Sequence, residues 1–239
     1  MTPLVLVHGF LGGSAQWDGL ATALHDKRDL IAVDLPGFGA NAHLKPLSSI
    51  YAYAGWVIQT LRDKGVGTYD LMGHSMGGMI VQEIARQDRT NLNRLILYGT
   101  GAIGVLPGRF ETIAESKRRA VADGAVATAR RISATWLLEK EASPLFSAVA
   151  DLAQMASIDA IHAGLDAMES WSGVDSLTDI SAETLVIWGD QDRTYTWAQT
   201  QQVWSSIQGA QLCVIPNCAH LVHLEAPLIF HEIMRRFLK

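Results

Sequence analysis

The sequence predicts an α/β fold in which a mostly parallel sheet of about six strands is covered by helices on both faces. Two observations predict it. Short apolar runs recur along the chain, and segments with apolar residues at helical spacing separate most of them. Repeated strand–helix–strand units of this kind form a parallel sheet with helices packed on both sides. The 239 residues are enough to bury a large core.

The strands are predicted where a short apolar run is bounded by polar or turn residues. A strand buried on both faces of a parallel sheet is a continuous apolar run rather than an alternating one. The segments that fit this description are Leu4–Val7, Leu30–Val33, Tyr69–Met72, Leu95–Tyr98, Thr184–Trp188 and Gln211–Ile215.

The helices of the sheet layers are predicted where apolar residues recur at three- and four-residue intervals. This spacing gives a helix one apolar side that can face the sheet. The segments with this spacing are Trp17–His25, Ile50–Lys64, Met76–Arg86, Thr196–Ile207 and Pro227–Leu238.

Residues 107–180 differ from the rest of the chain, because they are rich in alanine and show no convincing strand pattern. Their apolar spacing predicts helices interrupted by glycine and proline. The predicted helices are Arg109–Asp123, Ala125–Lys140, Leu145–Ala156 and Ile158–Met168. We therefore expect a core made of residues 1–106 and 181–239, with a helical insertion at 107–180 between its two parts.

Composition and charge argue against several classes of protein. The net charge is −5 and the basic residues are scattered, so nothing indicates a nucleic acid or an anionic membrane as partner. The sequence lacks the Cys and His spacings typical of zinc sites, and Cys213 and Cys218 are expected to be reduced and structural. With no recognisable signal peptide or membrane-spanning stretch, we expect a cytoplasmic protein.

The most informative motif is Gly-His-Ser-Met-Gly at residues 73–77. It follows the predicted strand Tyr69–Met72 and opens the predicted helix Met76–Arg86. A serine between two glycines at a strand-to-helix turn is typical of a nucleophile elbow, whose strained backbone lifts the hydroxyl clear of the sheet. The sequence therefore predicts that Ser75 is a nucleophile.

A nucleophilic serine needs a base, and the base needs a carboxylate to orient it. On this kind of turn the partners follow in the order Ser, Asp or Glu, His. Asp192 and His220 follow Ser75 in that order, just after predicted strands whose carboxyl ends meet at one edge of the sheet. Asp190 and His223 compete for these roles, although Asp190 could equally cap a turn and His223 could be a packed or surface histidine.

Acyl transfer also needs hydrogen-bond donors for the oxyanion that develops in the transition state. The Met76 amide would lie at a helix N-terminus, where free N–H groups favour negative charge. The second donor is expected from the Gly-rich loop at residues 8–13, with the Phe10 amide as first candidate and the Leu11 amide as second.

Three side chains are candidates for contact with a substrate. Trp136 and Trp171 lie in the insertion, which should sit over Ser75, and Leu11 lies in the Gly-rich loop. The Gly-x-Gly-x-x-Ala pattern at residues 37–42 resembles a dinucleotide fingerprint, but it opens no predicted helix. We expect a tight turn there and no nucleotide cofactor.

Together these motifs resemble the α/β-hydrolase superfamily over nearly the whole chain. The matching segments are His8–Phe10, Asp34–Gly39, Gly73–Gly78, Gly189–Asp192 and His220 with Glu225–Pro227. The resemblance implies that Ser75, Asp192 and His220 are catalytic and that the insertion is a lid. Members usually begin with a hairpin of two strands, whereas Leu4 already belongs to what is normally the third strand. We therefore expect this hairpin to be missing.

Within the superfamily the chain is similar to the small carboxylesterases and the 3-oxoadipate enol-lactonases. The stretch from Gly108 to Trp136 is loosely similar to the lid of the enol-lactonases. Serine rather than aspartate at position 75 argues against epoxide hydrolases and dehalogenases of this fold.

We expect a hydrolase that cleaves a small carboxylic ester or lactone through an acyl-enzyme, with no metal or cofactor. Two alternatives remain open. One is a hydrolase of C–C bonds in meta-ring-fission products, or an enol-lactonase of aromatic catabolism. The other is a ligand receptor of the same fold with slow turnover.

Overall fold

The computed structural model describes residues 2–239, and its central feature is a six-stranded sheet in which all strands run parallel. The spatial order is β2-β1-β3-β4-β5-β6. The strands are β1 (Leu4–Val7), β2 (Leu30–Val33), β3 (Tyr69–His74), β4 (Leu92–Tyr98), β5 (Glu183–Gly189) and β6 (Gln211–Ile215). The predicted α/β class with a parallel sheet is confirmed.

The helices cover both faces of this sheet. They are α1 (Asp18–Leu24), α2 (Ile50–Asp63), α3 (Met76–Gln87), α4 (Ile113–Asp123), α5 (Ala125–Ala134), α6 (Phe146–Ala153), α7 (Ile158–Glu169), α8 (Trp197–Ser206), α9 (Val222–Glu225) and α10 (Pro227–Phe237). Successive residues of β1 point to opposite faces, as the pleat of a strand requires. Leu4 and Leu6 pack with α1 and α10, whereas Val5 and Val7 pack with α2 and α3.

Three strands are longer than the apolar pattern predicts, and β5 (Glu183–Gly189) gains one residue at each end. β3 continues through Gly73 and His74, which pair with Leu97 and Tyr98, and β4 begins three residues earlier, at Leu92. The backbone ladder rather than side-chain polarity sets these ends, since hydrogen bonds between parallel strands do not require apolar side chains. The extension carries β3 directly into Ser75.

The insertion contains the four helices α4 to α7, and the two largest corrections to the predicted bounds concern α4 and α5. The first helix begins at Ile113 rather than Arg109, because Thr112 caps it by accepting a 3.1 Å hydrogen bond from the Glu115 amide. The second ends at Ala134 rather than Lys140. The Thr135 hydroxyl there donates to the Ile132 carbonyl, and the chain turns away from the helix axis.

Helix α7 lies directly on the Gly-rich loop that follows β1. A Cβ on Gly164 would come within 2.7 Å of the Phe10 ring, so the absence of a side chain allows this close approach. At the base of the insertion, Ile103 and Ser172 form an isolated antiparallel bridge. None of the helices in residues 2–239 is long and apolar enough to cross a membrane.

Candidate active site

Ser75 lies between β3 and α3 in a backbone conformation that a residue with a side chain rarely adopts, with φ 57° and ψ −120°. Such strain persists only where the surroundings fix it, and it is common at functional sites. The turn is crowded: a Cβ on Gly77 would lie 2.5 Å from the His8 carbonyl oxygen. A Cβ on Gly73 would lie 2.6 Å from a methyl group of Val81. The two glycines of the motif are therefore required by packing.

The turn is also fastened by the end of β4. The Ser75 amide donates to the Tyr98 carbonyl at 3.0 Å, and the Thr100 hydroxyl donates to the Ser75 carbonyl at 2.8 Å. Gly78 leaves room for Thr100, because a Cβ there would lie 2.6 Å from the threonine methyl. Sequence reasoning missed Thr100, which carries no motif of its own.

His220 and Asp192 form a hydrogen-bonded pair at the same edge of the sheet. His220 Nδ1 lies 2.8 Å from Asp192 Oδ2, and both side chains are almost completely buried. The other carboxylate oxygen of Asp192 accepts hydrogen bonds from the Thr194 and Tyr195 amides at 2.7 and 3.1 Å. Asp192 is therefore held by three donors, and Nε2 is the free nitrogen of His220.

The two competing residues occupy different positions. Asp190 accepts a 2.7 Å hydrogen bond from the Asn217 amide, so it closes a turn between the two loops rather than contacting His220. His223 is buried against Trp17, with its Nδ1 2.9 Å from the Tyr98 hydroxyl. Burial lowers the pKa of His223 to about 3, so its imidazole is neutral at pH 7.

His74, next to Ser75 in sequence, lies beneath His220 rather than in the cavity. Its ring is centred 4.4 Å from the His220 ring, and its Nε2 donates to the His220 carbonyl at 3.1 Å. Burial holds the pKa of His74 well below its ordinary value. A neutral His74 therefore supports the His220 loop without adding a charge beside it.

The Gly-rich loop after β1 passes directly beside the serine. A Cβ on Gly9 would lie 2.9 Å from the Ser75 Cβ. Within residues 2–239, the Phe10 amide donates to no backbone carbonyl. In α3 the Gly78 and Met79 amides donate to the Ser75 carbonyl, whereas the Met76 amide donates to no backbone carbonyl within the described residues. Both predicted oxyanion donors thus lie on the segments that flank Ser75.

His8 fixes the shape of this loop. Its Nε2 accepts a hydrogen bond from the Leu35 amide at 2.9 Å, so the proton is on Nδ1, which donates to the Gly9 carbonyl at 2.7 Å. Burial lowers the pKa of His8 to about 4. The neutral form is required for this pair of hydrogen bonds.

Ser75 faces a cavity of about 160 Å³ between the sheet edge and the insertion. Tyr195, which sequence reasoning missed, forms part of its wall. The Tyr195 ring stacks on the His220 ring with centroids 5.6 Å apart and an interplanar angle of 22°. Burial raises the pKa of Tyr195, while its interaction with the Ser75 hydroxyl partly offsets this effect. Tyr195 is therefore a neutral phenol that stacks on His220 and shares the cavity wall with Ser75.

The candidate substrate residues are placed differently from one another. Trp136 lines the cavity at Ser75 and also a neighbouring apolar cavity of about 350 Å³, which Leu11 lines as well. Trp171 lines neither cavity, and its indole lies against Gly173 at the base of the insertion. The structure thus brings Trp136 to Ser75, but not Trp171.

The turn at residues 136–138 is tied to the loops that carry Asp192 and His220. The His220 amide donates to the Trp136 carbonyl at 3.0 Å. Arg193 donates to the Leu137 and Leu138 carbonyls, both at 3.0 Å. The carboxylate of Glu225 accepts from the Leu138 and Ala219 amides, both at 2.6 Å. The insertion and the His–Asp pair are therefore one connected unit.

A parallel sheet with a serine on a strained strand-to-helix turn, and a His–Asp pair after later strands, defines a hydrolase of the α/β class. Residues 2–227 match the family model for the alpha/beta hydrolase fold, so the chain belongs to the α/β-hydrolase family, as the sequence motifs predict.

Three of the similar proteins show sequence identities of 20–29%. The 2-hydroxymuconate semialdehyde hydrolase of Pseudomonas putida is 29% identical over 254 residues, which cover 99% of this chain and 86% of that protein. A thermophilic esterase from Thermogutta terrifontis superposes with a TM-score of 0.90 at 25% identity, covering 100% of this chain and 89% of that one. The enol-lactonase of Burkholderia xenovorans superposes with a TM-score of 0.90 at 20% identity, covering 100% and 92% of the two chains.

Proposed function

We propose that this protein is a serine hydrolase that cleaves a small carboxylic ester or lactone through an acyl-enzyme intermediate. The observation that carries the proposal is Ser75 itself. It sits on a strained turn, faces a cavity, and shares that cavity's wall with the residues around the His220–Asp192 pair. A site in which a serine, a histidine and a buried carboxylate lie together suits nucleophilic acyl transfer.

In the proposed reaction the Ser75 hydroxyl attacks the carbonyl carbon while His220 Nε2 accepts its proton. Asp192 holds the imidazole in the tautomer with the proton on Nδ1, and it stabilises the imidazolium that forms. The imidazolium then gives the proton to the leaving alcohol, and the acyl group remains on Ser75. In the second half of the reaction, His220 activates a water that hydrolyses this acyl-enzyme.

The Phe10 and Met76 amides are the proposed donors to the oxyanion. Both belong to segments that flank Ser75, and the Phe10 amide is free of a backbone acceptor within residues 2–239. Removal of one such donor typically lowers kcat by about 10²- to 10³-fold. We further propose that the insertion acts as a lid that limits the size of the acyl group, since the cavity holds only about 160 Å³.

The relatives support this reaction class. The Thermogutta protein is an esterase and the Burkholderia protein an enol-lactonase, by the names they carry. The Pseudomonas relative is a 2-hydroxymuconate semialdehyde hydrolase. A hydrolase of C–C bonds therefore stays the alternative that the experiment has to address. The proposed ester chemistry needs no metal or organic cofactor, because the three side chains and two amides supply every step.

The test is Ser75→Ala, assayed on p-nitrophenyl acetate, an enol-lactone and a dienone acid. We expect the wild-type protein to hydrolyse the ester or the lactone, and Ser75→Ala to lose at least about 10³-fold in kcat. A matched control is Ser205→Ala, because Ser205 is exposed on α8. A fluorophosphonate probe should label the wild type and the control on Ser75, and leave Ser75→Ala unlabelled.

Three outcomes would contradict the proposal. Ser75→Ala at the parental rate would show that another group is the nucleophile. Activity on the dienone acid alone would favour C–C bond hydrolysis. Very slow turnover together with a large ligand-dependent rise in Tm would favour a receptor of this fold.

A further inference from the structure

The cavity at Ser75 is positively charged, although the protein as a whole carries a net charge of −5. Arg109, Lys140 and Arg193 line it, and no aspartate or glutamate is found among the described residues of its wall. Asp192 lies behind His220 rather than in the wall. A cavity lined by one sign of charge attracts ligands of the other sign.

The three cations are not equivalent. Lys140 is exposed at the edge of the insertion, and Arg193 uses its guanidinium on the Leu137 and Leu138 carbonyls. Arg109 is different, because its Nε is buried and has no hydrogen-bond partner within residues 2–239. Its only side-chain hydrogen bond in that range is a long one, 3.4 Å from Nη2 to the Ser116 hydroxyl. No ion pair neutralises Arg109 among the described residues, so its charge in the cavity wall has no partner within the protein.

The nearby carboxylate does not neutralise Arg109. Glu111 accepts a 2.7 Å hydrogen bond from Arg131 and a 2.6 Å hydrogen bond from the Ser116 hydroxyl. Burial lowers the pKa of Arg109, and the nearby carboxylate of Glu111 partly offsets this effect. A guanidinium remains charged at pH 7 in any case. The Arg109 charge is therefore available to the cavity.

We propose that Arg109 binds a carboxylate of the substrate, so that the enzyme selects anionic esters or lactones, such as half-esters of dicarboxylic acids. This proposal rests on the proposed function, because it places the scissile carbonyl at Ser75 and the carboxylate at the other end of the same cavity. The planar guanidinium suits a carboxylate, which can accept from the two Nη groups in parallel. Lys140 at the exposed rim and Arg193, whose guanidinium is engaged by two backbone carbonyls, add to the positive field of the cavity.

The competing explanation is that Arg109 serves packing alone, since its guanidinium lies 6.0 Å from the centre of the Phe110 ring. Phe110 is itself exposed, and it lines the same cavity. A packing role would affect all substrates equally. A carboxylate-binding role would affect only those that carry the charge, and this difference can be measured.

The test compares two esters that differ only in a carboxylate in place of a terminal methyl group, mono-p-nitrophenyl adipate and p-nitrophenyl hexanoate. The quantity of interest is the ratio of their kcat/KM values. We expect the wild-type ratio to exceed about 10 and to fall about 10- to 100-fold in Arg109→Gln, as expected for loss of a charge-assisted hydrogen bond. Arg109→Lys should keep part of the ratio, because it retains the charge but not the planar fork.

The matched control is Arg118→Gln, which removes the same charge from the exposed side of α4, where Arg118 pairs with Glu115. It should leave the ratio unchanged. A wild-type ratio of 1 or less would overturn the proposal. An equal loss on both esters in Arg109→Gln would also overturn it, because that result indicates packing alone.

A binding measurement separates this proposal from the proposed function. Adipamate and hexanamide are the amide counterparts of the two acyl groups and need no cleavage. Titration calorimetry should show adipamate binding to the wild type, to Ser75→Ala and to Arg118→Gln, with at least about 10-fold weaker binding to Arg109→Gln. Hexanamide should show no such dependence on Arg109.

Equal binding of adipamate to all four proteins would overturn the carboxylate site, even if Ser75 proves to be the nucleophile. If Ser75 proves not to be the nucleophile, Arg109-dependent binding of adipamate would still support the site.

Discussion

Asp192 accepts a 2.8 Å hydrogen bond from Nδ1 of His220, and both side chains are almost completely buried. A buried carboxylate is stable only when donors surround it. The Thr194 and Tyr195 amides supply two of them, so His220 completes the set. Because the amides already fix the carboxylate, the imidazole is held in one orientation by a rigid partner.

This relationship predicts the effect of Asp192→Asn. The amide side chain can present an N–H to His220, which favours the tautomer with the proton on Nε2 and removes the base. We expect kcat on the preferred ester to fall by about 10³- to 10⁴-fold, with the fold intact. Steady-state kinetics on the purified variant, with circular dichroism to verify folding, is the measurement.

The control for this prediction is Asp190→Asn, since Asp190 accepts from the Asn217 amide and does not contact His220. It should lower kcat by no more than a few fold. A loss of less than about 10-fold in Asp192→Asn would show that the Asp192–His220 pair is not part of the reaction. An equal loss of kcat in both variants would show that the loop after β5, rather than the Asp192 carboxylate, determines the activity.

Much of this site could be predicted from sequence because its members lie where strands end. The motif around Ser75 follows an apolar run, and Asp192 and His220 follow two others, so chain order and strand ends together bring them to one edge. The sequence favours Asp192 over Asp190, and the structure shows Asp192 in contact with His220. Both follow β5, and only the turn after it determines which carboxylate faces His220.

The residues that were missed are those whose role depends on tertiary contact alone. Tyr195 and Thr100 follow strands but belong to no recognisable sequence motif. Arg109 lies just before α4, whereas the sequence pattern predicts that this helix includes it. Trp171 was a candidate because it lies in the insertion, but periodicity cannot tell which side of an insertion faces the core. The chain path between α5 and α6 depends on hydrogen bonds to Arg193 and Glu225, which lie more than 50 residues away.

The glycines of the serine turn provide a second prediction. Gly77 sits where a Cβ would lie 2.5 Å from the His8 carbonyl oxygen, and that backbone belongs to the loop beside the serine. Gly77→Ala should destabilise the protein by about 3 kcal/mol or more, since neither backbone segment can move without disturbing the sheet. Thermal or urea unfolding of the purified variant measures this loss.

Gly55→Ala is the matched comparison. Gly55 lies inside α2, and a Cβ there would meet nothing within 4 Å. Alanine has the higher helix propensity, so this variant should gain about 0.5–1 kcal/mol. The prediction fails if the two substitutions change stability by the same amount, because the Cβ contact would then have no consequence.

The buried histidines predict how stability depends on pH. Burial lowers the pKa of His8 to about 4 and that of His223 to about 3, whereas an unfolded histidine has a pKa near 6.5. Below pH 6.5 the unfolded chain binds protons that the folded protein does not accept, so the free energy of unfolding falls as the pH falls. Each of these histidines should cost about 2 kcal/mol of stability between pH 7 and pH 5. Urea unfolding at the two pH values measures the total decrease in the free energy of unfolding.

His223→Gln isolates one of these contributions. The decrease in the free energy of unfolding between pH 7 and pH 5 should be about 2 kcal/mol smaller in this variant than in the wild type. Each protein is compared with itself, so the general cost of the substitution cancels. His43→Gln is the control, since His43 is exposed, and it should show the wild-type decrease. If His223→Gln also showed the wild-type decrease, His223 would titrate alike in the folded and unfolded states, and its burial against Trp17 and Tyr98 would have no electrostatic consequence.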